Sequence, residues 1–292
     1  FLMTDTNFSN NQPVYDPMIN GDKLPSSCLL CSGGELNRLG HIIPKFVMRF
    51  LKSASNKSGF FLNNTKEKVS DTLAMKMLCD KCEEIFSEHE KFFTDKYFKT
   101  YYRKKPRVAI NNDIYFFTLS VAWRILASTP IMKGEEGSSN YFRGLTKDIG
   151  SYLLNPNKAA EIDVYIFHAD DIVANLPEES YNPNILKFSV RQGIFAEYLN
   201  RSIGSYVFRA TPAPIPLVYF KLGVYYFMVT YQNYLQSLSF IEGIEKSGGG
   251  RVHVLGYSIE LIGFLHHISN DIFFEVDGSI IPRGVEYNRI RS

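Results

Sequence analysis

Cys28, Cys31, Cys79 and Cys82 are the only cysteines in the chain, and they fall into two C-x2-C pairs. Thiolates are favoured zinc ligands, and each C-x2-C turn directs two sulfurs at one point, so the two turns supply one tetrahedral structural Zn2+ site. The spacing is that of metal ligands rather than of a disulfide framework. Ser32 to Leu78, 47 residues, separate the pairs. That is longer than a compact zinc ribbon, so a hairpin and a helix are expected between them.

His41 is the second residue with chemistry to offer. It stands ten positions after Cys31 in GHIIPK, at an expected strand-to-helix junction. Two structural readings of it are a helix-entry histidine bonded to its own turn and a zinc ligand replacing a cysteine. Glu83, directly after the last cysteine, offers a hard oxygen to Mg2+ or Mn2+. His89 or Glu84 are the candidates to join it, although SEHEK also reads as a solvated helix face.

Two basic clusters interleave cations with aromatics: Lys45, Arg49 and Lys52 in KFVMRFLK, and Arg103, Lys104, Lys105 and Arg107 in KTYYRKKPR. That mixture suits a phosphate backbone and exposed bases. The net charge is only +2, so contact with DNA would be a local patch rather than a property of the whole surface. Arg124 lies in an apolar helical run and needs a carboxylate or an anion beside it. HADD at 168 to 171, the pair His266 and His267, and SGGGR read as a strand-end turn, a helix end and a turn.

The elements that must position these residues follow from periodicity. Residues 1–27 are polar and Asn/Pro/Ser-rich, an irregular lead-in. Pro44 suits a first helical turn, and Ile43, Phe46, Val47, Phe50 and Leu51 recur at helical spacing. Short strands are expected within 60–78. Cys79 opens a helix whose stripe is Ile85, Phe86, Phe93, Tyr97 and Phe98. IYFFTLSVAWRILAS is apolar nearly all round and belongs in the interior. GEEGSSN at 134–140 reads as an exposed loop, with a helix over 141–154. Beyond Glu161 the runs IDVYIF, YVFRA, LVYF and VYYFMVTY read as strands of an antiparallel sheet. ATPAPIP is excluded from a central strand. The fold class is α+β: an N-terminal zinc-stapled segment at 28–107 and a larger mixed domain at 108–292. No apolar run reaches the length of a bilayer span, and FLMTDTNFSNNQPVYD has no basic start followed by an apolar segment, so a cytoplasmic location is expected.

The layout C-x2-C, then His-Ile-Ile-Pro, then C-x2-C at a helix start resembles the HNH endonuclease superfamily over 28 to roughly 95. The resemblance implies a ββα-metal core in which His41 is the general base for phosphodiester hydrolysis beside a divalent cation, with Glu83 near that cation. It also implies DNA as substrate and a setting in bacterial anti-phage defence. The family carries Asp, Glu or His just before the base, where this chain has Gly40, and its central Asn has no counterpart in DTLAMKMLC. The alternative implied by those departures is a catalytically degenerate HNH module that binds a partner protein or nucleic acid.

Overall fold

A computed structural model describes residues 25–54, 60–61, 68–69, 74–103, 111–128, 136–158, 160–168, 203–210, 215–232, 234–235, 245–247, 251–255, 261, 273–276 and 279–282. The fold is α+β. In chain order the elements are β1 (Gly40–His41), α1 (Lys45–Ala54), β2 (Phe60–Phe61), β3 (Lys68–Val69), β4 (Ala74–Met75), α2 (Asp80–Phe93) and α3 (Lys99–Tyr102). There follow α4 (Asn112–Ser128), α5 (Glu136–Leu154), β5 (Ile162–His168), β6 (Ile203–Ala210), β7 (Ile215–Leu222) and β8 (Tyr225–Tyr231). The last are β9 (Glu245–Ser247), β10 (Val252–Val254), β11 (Phe273–Val276) and β12 (Ser279–Pro282).

Helix α4 is the pillar its composition demands: from Ile114 to Ser128 every residue except Ala127 is buried. An apolar surface that wide needs partners on more than one side. Phe117 stacks on Phe93 of α2 (centroids 4.1 Å apart) and meets Phe227 of β8 on its other flank (6.3 Å). The Tyr115 hydroxyl donates to the Ile162 carbonyl at 2.8 Å, fixing α4 to β5. One hydrophobic core therefore runs from Cys28 through α4 into the sheet and on to Leu261.

The large sheet has six strands in the order β6-β7-β8-β5-β10-β9. Its ladders are antiparallel except β5–β10, where Val252–Val254 run parallel to Val164–Ile166, so the sheet is mixed. Pro216 corrects the exclusion of ATPAPIP from an interior strand. It lies in β7 opposite Arg209 of β6, but the β8 ladder spans only Val218–Leu222. Its missing N–H falls where β7 has one neighbour, so no ladder bond to β8 is lost.

Two other expectations need correction. Residues 136–140 belong to the start of α5 rather than to a loop. Ile85 is 40% exposed, outside the buried stripe of α2. Cys82, Phe86 and Phe93 make that stripe, and a π-helical turn at Thr94–Phe98 carries Tyr97 and Phe98 onto the same side. Among the described residues no helix is long and apolar enough to cross a membrane.

Candidate metal centre and the His41 strand

The ligand atoms of Cys28, Cys31, Cys79 and Cys82 all lie within 4.8 Å of one another. All four thiols are unbridged, and three are buried, with Cys31 at the surface. Cys31 Sγ and Cys79 Sγ are 3.8 Å apart. A tetrahedron with Zn–S bonds of about 2.3 Å has an S···S edge of about 3.8 Å, whereas a disulfide would need about 2.05 Å. The donor set and its dimensions fit zinc.

Local backbone rules explain how the sulfurs converge. In the first turn the Ser32 N–H donates to the Cys28 carbonyl at 2.9 Å, and Ser32 itself takes the left-handed φ of 59°. Gly34 follows at φ 80°, and a Cβ there would stand 2.8 Å from Cys79 Cβ. Glycine is required on both grounds. The Leu29 N–H donates to the Met77 carbonyl (2.9 Å), which ties the first turn to the approach of the second. Cys79 is the N-cap of α2, with extended backbone, and its carbonyl accepts from the Glu83 N–H at 3.0 Å. The second pair thus sits on a helix N-terminus, whose partial positive charge favours thiolates.

The thiols respond unequally to their crowding. Burial opposes ionisation of Cys28, yet backbone hydrogen bonds from Cys31, Cys79 and Leu30 more than offset it and bring its pKa down to about 7. Burial, then the charge of Cys28, pushes Cys82 well up. Four sulfurs this close do not ionise together unaided, and a divalent cation held among them would supply the missing charge.

His41 lies in β1, with Gly40 opposite Met75 and His41 opposite Ala74 of β4. The strand leads through buried Pro44 into α1, so the expected strand-to-helix junction is present. His41 is half-buried, and its Nε2 is closed off from solvent. It does not belong to the four-cysteine group.

Gly40 and Glu83 meet in space. A Cβ at position 40 would stand 3.1 Å from Glu83 Cδ and 3.7 Å from Oε2, with Oε1 nearer still. The carboxylate delivered by α2 therefore fills the space that a side chain on β1 would occupy. Burial raises the pKa of Glu83, Arg124 lowers it, and Glu90 raises it again. Glu90 lies seven residues, about two helical turns, beyond Glu83 and so on the same face of α2. It pairs with Arg124, whose other Nη donates to the His41 carbonyl at 3.0 Å. The buried arginine has the carboxylate partner its apolar helix requires.

His89 points elsewhere on α2. Its ring stacks on Phe116 (centroids 3.8 Å, planes 22° apart), and burial lowers its pKa. Among the described residues the cysteines form the one group of three or more His, Cys, Asp or Glu side chains close enough to share an ion.

Of the basic clusters, Arg49 and Arg103 are exposed and Lys45 is half-buried. The Lys52 side chain and residues 104–107 lie outside the description. The interleaved aromatics are turned inward: Phe46 packs on Phe98 (5.1 Å), and Phe50 on Phe98 (5.0 Å) and Tyr102 (4.2 Å). The Phe46, Phe50 and Tyr102 rings are partly buried and packed against the core. In HADD, His168 is buried at the end of β5 beside Tyr225 (4.5 Å), while 169–171, His266 and His267 lie outside the described residues.

The glycines of CLLCSGG were legible as the turn that folds around a metal, whereas Glu90 was missed. A second glutamate at i+7 from Glu83 was the available signal.

Comparison with protein-family models, with curated proteins and with solved structures gives no match to this chain. Its structure defines a four-cysteine centre able to hold a metal ion, compatible with a zinc-knuckle fold, set in an α+β fold.

Proposed function

We propose that the chain is a zinc-stapled, HNH-like nuclease acting on DNA phosphodiester bonds. The observation that carries this reading is the meeting of Gly40 and Glu83 next to His41. What supports it is that the Glu83 carboxylate, carried by α2, fills the space of a side chain at Gly40, the position before the proposed base.

In this reading His41 takes a proton from water as the water oxygen forms a bond to phosphorus. The P–O3′ bond breaks with its electron pair on the leaving oxygen, which a proton from solvent neutralises. Glu83 is the residue to hold a Mg2+ or Mn2+ ion, whose charge would offset that of the phosphorane and leaving oxygen. Raised by burial, its carboxyl gains from a cation beside it. Arg49 and Arg103, exposed on α1 and after α3, are the described cations available to a DNA backbone.

A second reading is a degenerate module that binds a partner or nucleic acid without cutting. Two observations favour it: the enclosed Nε2 of His41, and the placement of His89 against Phe116 rather than beside Glu83. Incubating zinc-loaded protein with plasmid and single-stranded DNA in Mn2+ or Mg2+ separates the two. Cleavage by the wild type that is lost in a zinc-retaining His41→Ala supports the nuclease; equal cleavage by both, or none by either, sinks the role given to His41.

A further inference from the structure

We infer that Arg124, on α4, is the positioning residue for His41, and this rests on the reading of His41 as the base. Its guanidinium joins three elements that are far apart in sequence. One Nη donates to the His41 carbonyl on β1 at 3.0 Å, the other pairs with Glu90 on α2, and the group lies over the Phe86 ring at 4.9 Å. The side chain is 3% exposed.

The local structure of β1 shows why such an anchor is needed. The strand is two residues long and pairs only at Gly40 and His41 with β4. The bond from Arg124 to the His41 carbonyl adds a tie from outside that two-residue ladder. Helix α4 is the opposite case: seventeen residues, buried on nearly every side and packed on both α2 and the sheet. Tying the His41 carbonyl to α4 transfers that rigidity to the histidine.

The chemistry of the link argues against a merely structural role. Arg124 Nε is enclosed without a hydrogen-bond partner, and a buried charge with an open donor is worse for stability than an apolar side chain of similar volume. What an apolar residue cannot do is hold a carbonyl and a carboxylate at a fixed mutual angle. The planar guanidinium fork does so by its own geometry. Arg124 also lies beyond the stretch of the chain that resembles the HNH superfamily, so the base is aimed by a helix outside its own zinc-bound segment.

The test uses full-length, zinc-loaded protein with isotope-labelled histidine, as wild type, Arg124→Met and Arg124→Lys. Cobalt substitution reports the thiolate centre independently. The expected result is an unchanged cobalt spectrum in Arg124→Met, together with a displaced or multiplied His41 ring signal and about tenfold faster exchange of the His41 amide. Arg124→Lys, with one donor in place of a fork, falls between the two. Where wild type cuts DNA, kcat falls by about tenfold or more in Arg124→Met while KM holds within about twofold. An unchanged His41 signal and amide exchange in folded Arg124→Met overturns the inference. If both variants lose the cobalt spectrum, the wild type decides: an Arg124 Nη–H in slow exchange and close to β1 supports the link, and its absence overturns it. If wild type cuts nothing, the base reading fails while the ring signal still decides whether Arg124 aims His41.

Discussion

Gly40→Ala tests the meeting of β1 and α2 without relying on activity. The new methyl would lie 3.1 Å from Glu83 Cδ. An ordinary carbon–carbon contact is about 3.5–4.0 Å, so Cδ must withdraw by roughly 0.5–1 Å and Oε1 by more. The yielding group is the end of a flexible side chain, which can move at an off-rotamer cost of about 0.5–1.5 kcal/mol. Replacing glycine by alanine returns about 0.4–1 kcal/mol through the unfolded chain. Gly40→Ala alone should therefore be near neutral or destabilising by up to ~1 kcal/mol. In a Glu83→Ala background the clash is gone, and the same substitution should become stabilising. Urea unfolding of the four zinc-loaded proteins gives the coupling, expected at about 0.5–1.5 kcal/mol. Additivity within about 0.3–0.5 kcal/mol would show that the carboxylate does not occupy this space. A Gly40→Asp, Glu83→Ala protein returns a carboxylate to the same place from the strand side. On the nuclease reading it cuts DNA better than Glu83→Ala does.

Gly34→Ala forces alanine to φ 80° with its Cβ against Cys79. It should cost about 1–3 kcal/mol and speed zinc loss to a chelator, read by a colorimetric competition assay. Trp123, the only tryptophan, lies against Gly150 near Leu30 of the first cysteine turn. Chelation of the metal should shift its emission to the red, and an unchanged spectrum would mean that the turn stays docked without the ion. His89 is held below its ordinary pKa by burial on Phe116. Its unfolded form binds a proton more readily, so the protein loses stability as pH falls below about 6.5. His89→Phe should flatten that part of the pH–stability curve, which urea midpoints at several pH values would reveal.

Legibility in the sequence followed the range of the interactions. The two C-x2-C turns and the apolar α4 are local patterns, and both appear where spacing puts them. So does the arginine's need for a carboxylate, because a charge in an apolar helix states its own requirement. The partner was not legible: Glu90 and Arg124 are 34 positions apart. The Gly40–Glu83 meeting was equally hidden, since Gly40 reads alone as a missing ligand and only the packing of β1 on α2 supplies the carboxylate. Periodicity misled at Ile85, which lies at the edge of the face that Cys82, Phe86 and Phe93 bury. The packing of the aromatics within the basic clusters was likewise not legible. Phe46, Phe50 and Tyr102 look available between cations in one dimension, but their rings are the packing between α1 and α3. Strand direction at β10 depended on a non-local neighbour, β5, that composition does not name.

X-ray absorption at the zinc edge of reduced, purified protein tests the account most directly. One zinc per chain with four sulfur neighbours at about 2.3 Å is the result expected from Cys28, Cys31, Cys79 and Cys82. Protein that carries no zinc, or a zinc with three sulfurs and a histidine nitrogen, would contradict it, the second by making His41 a ligand instead of a residue outside the four-cysteine group.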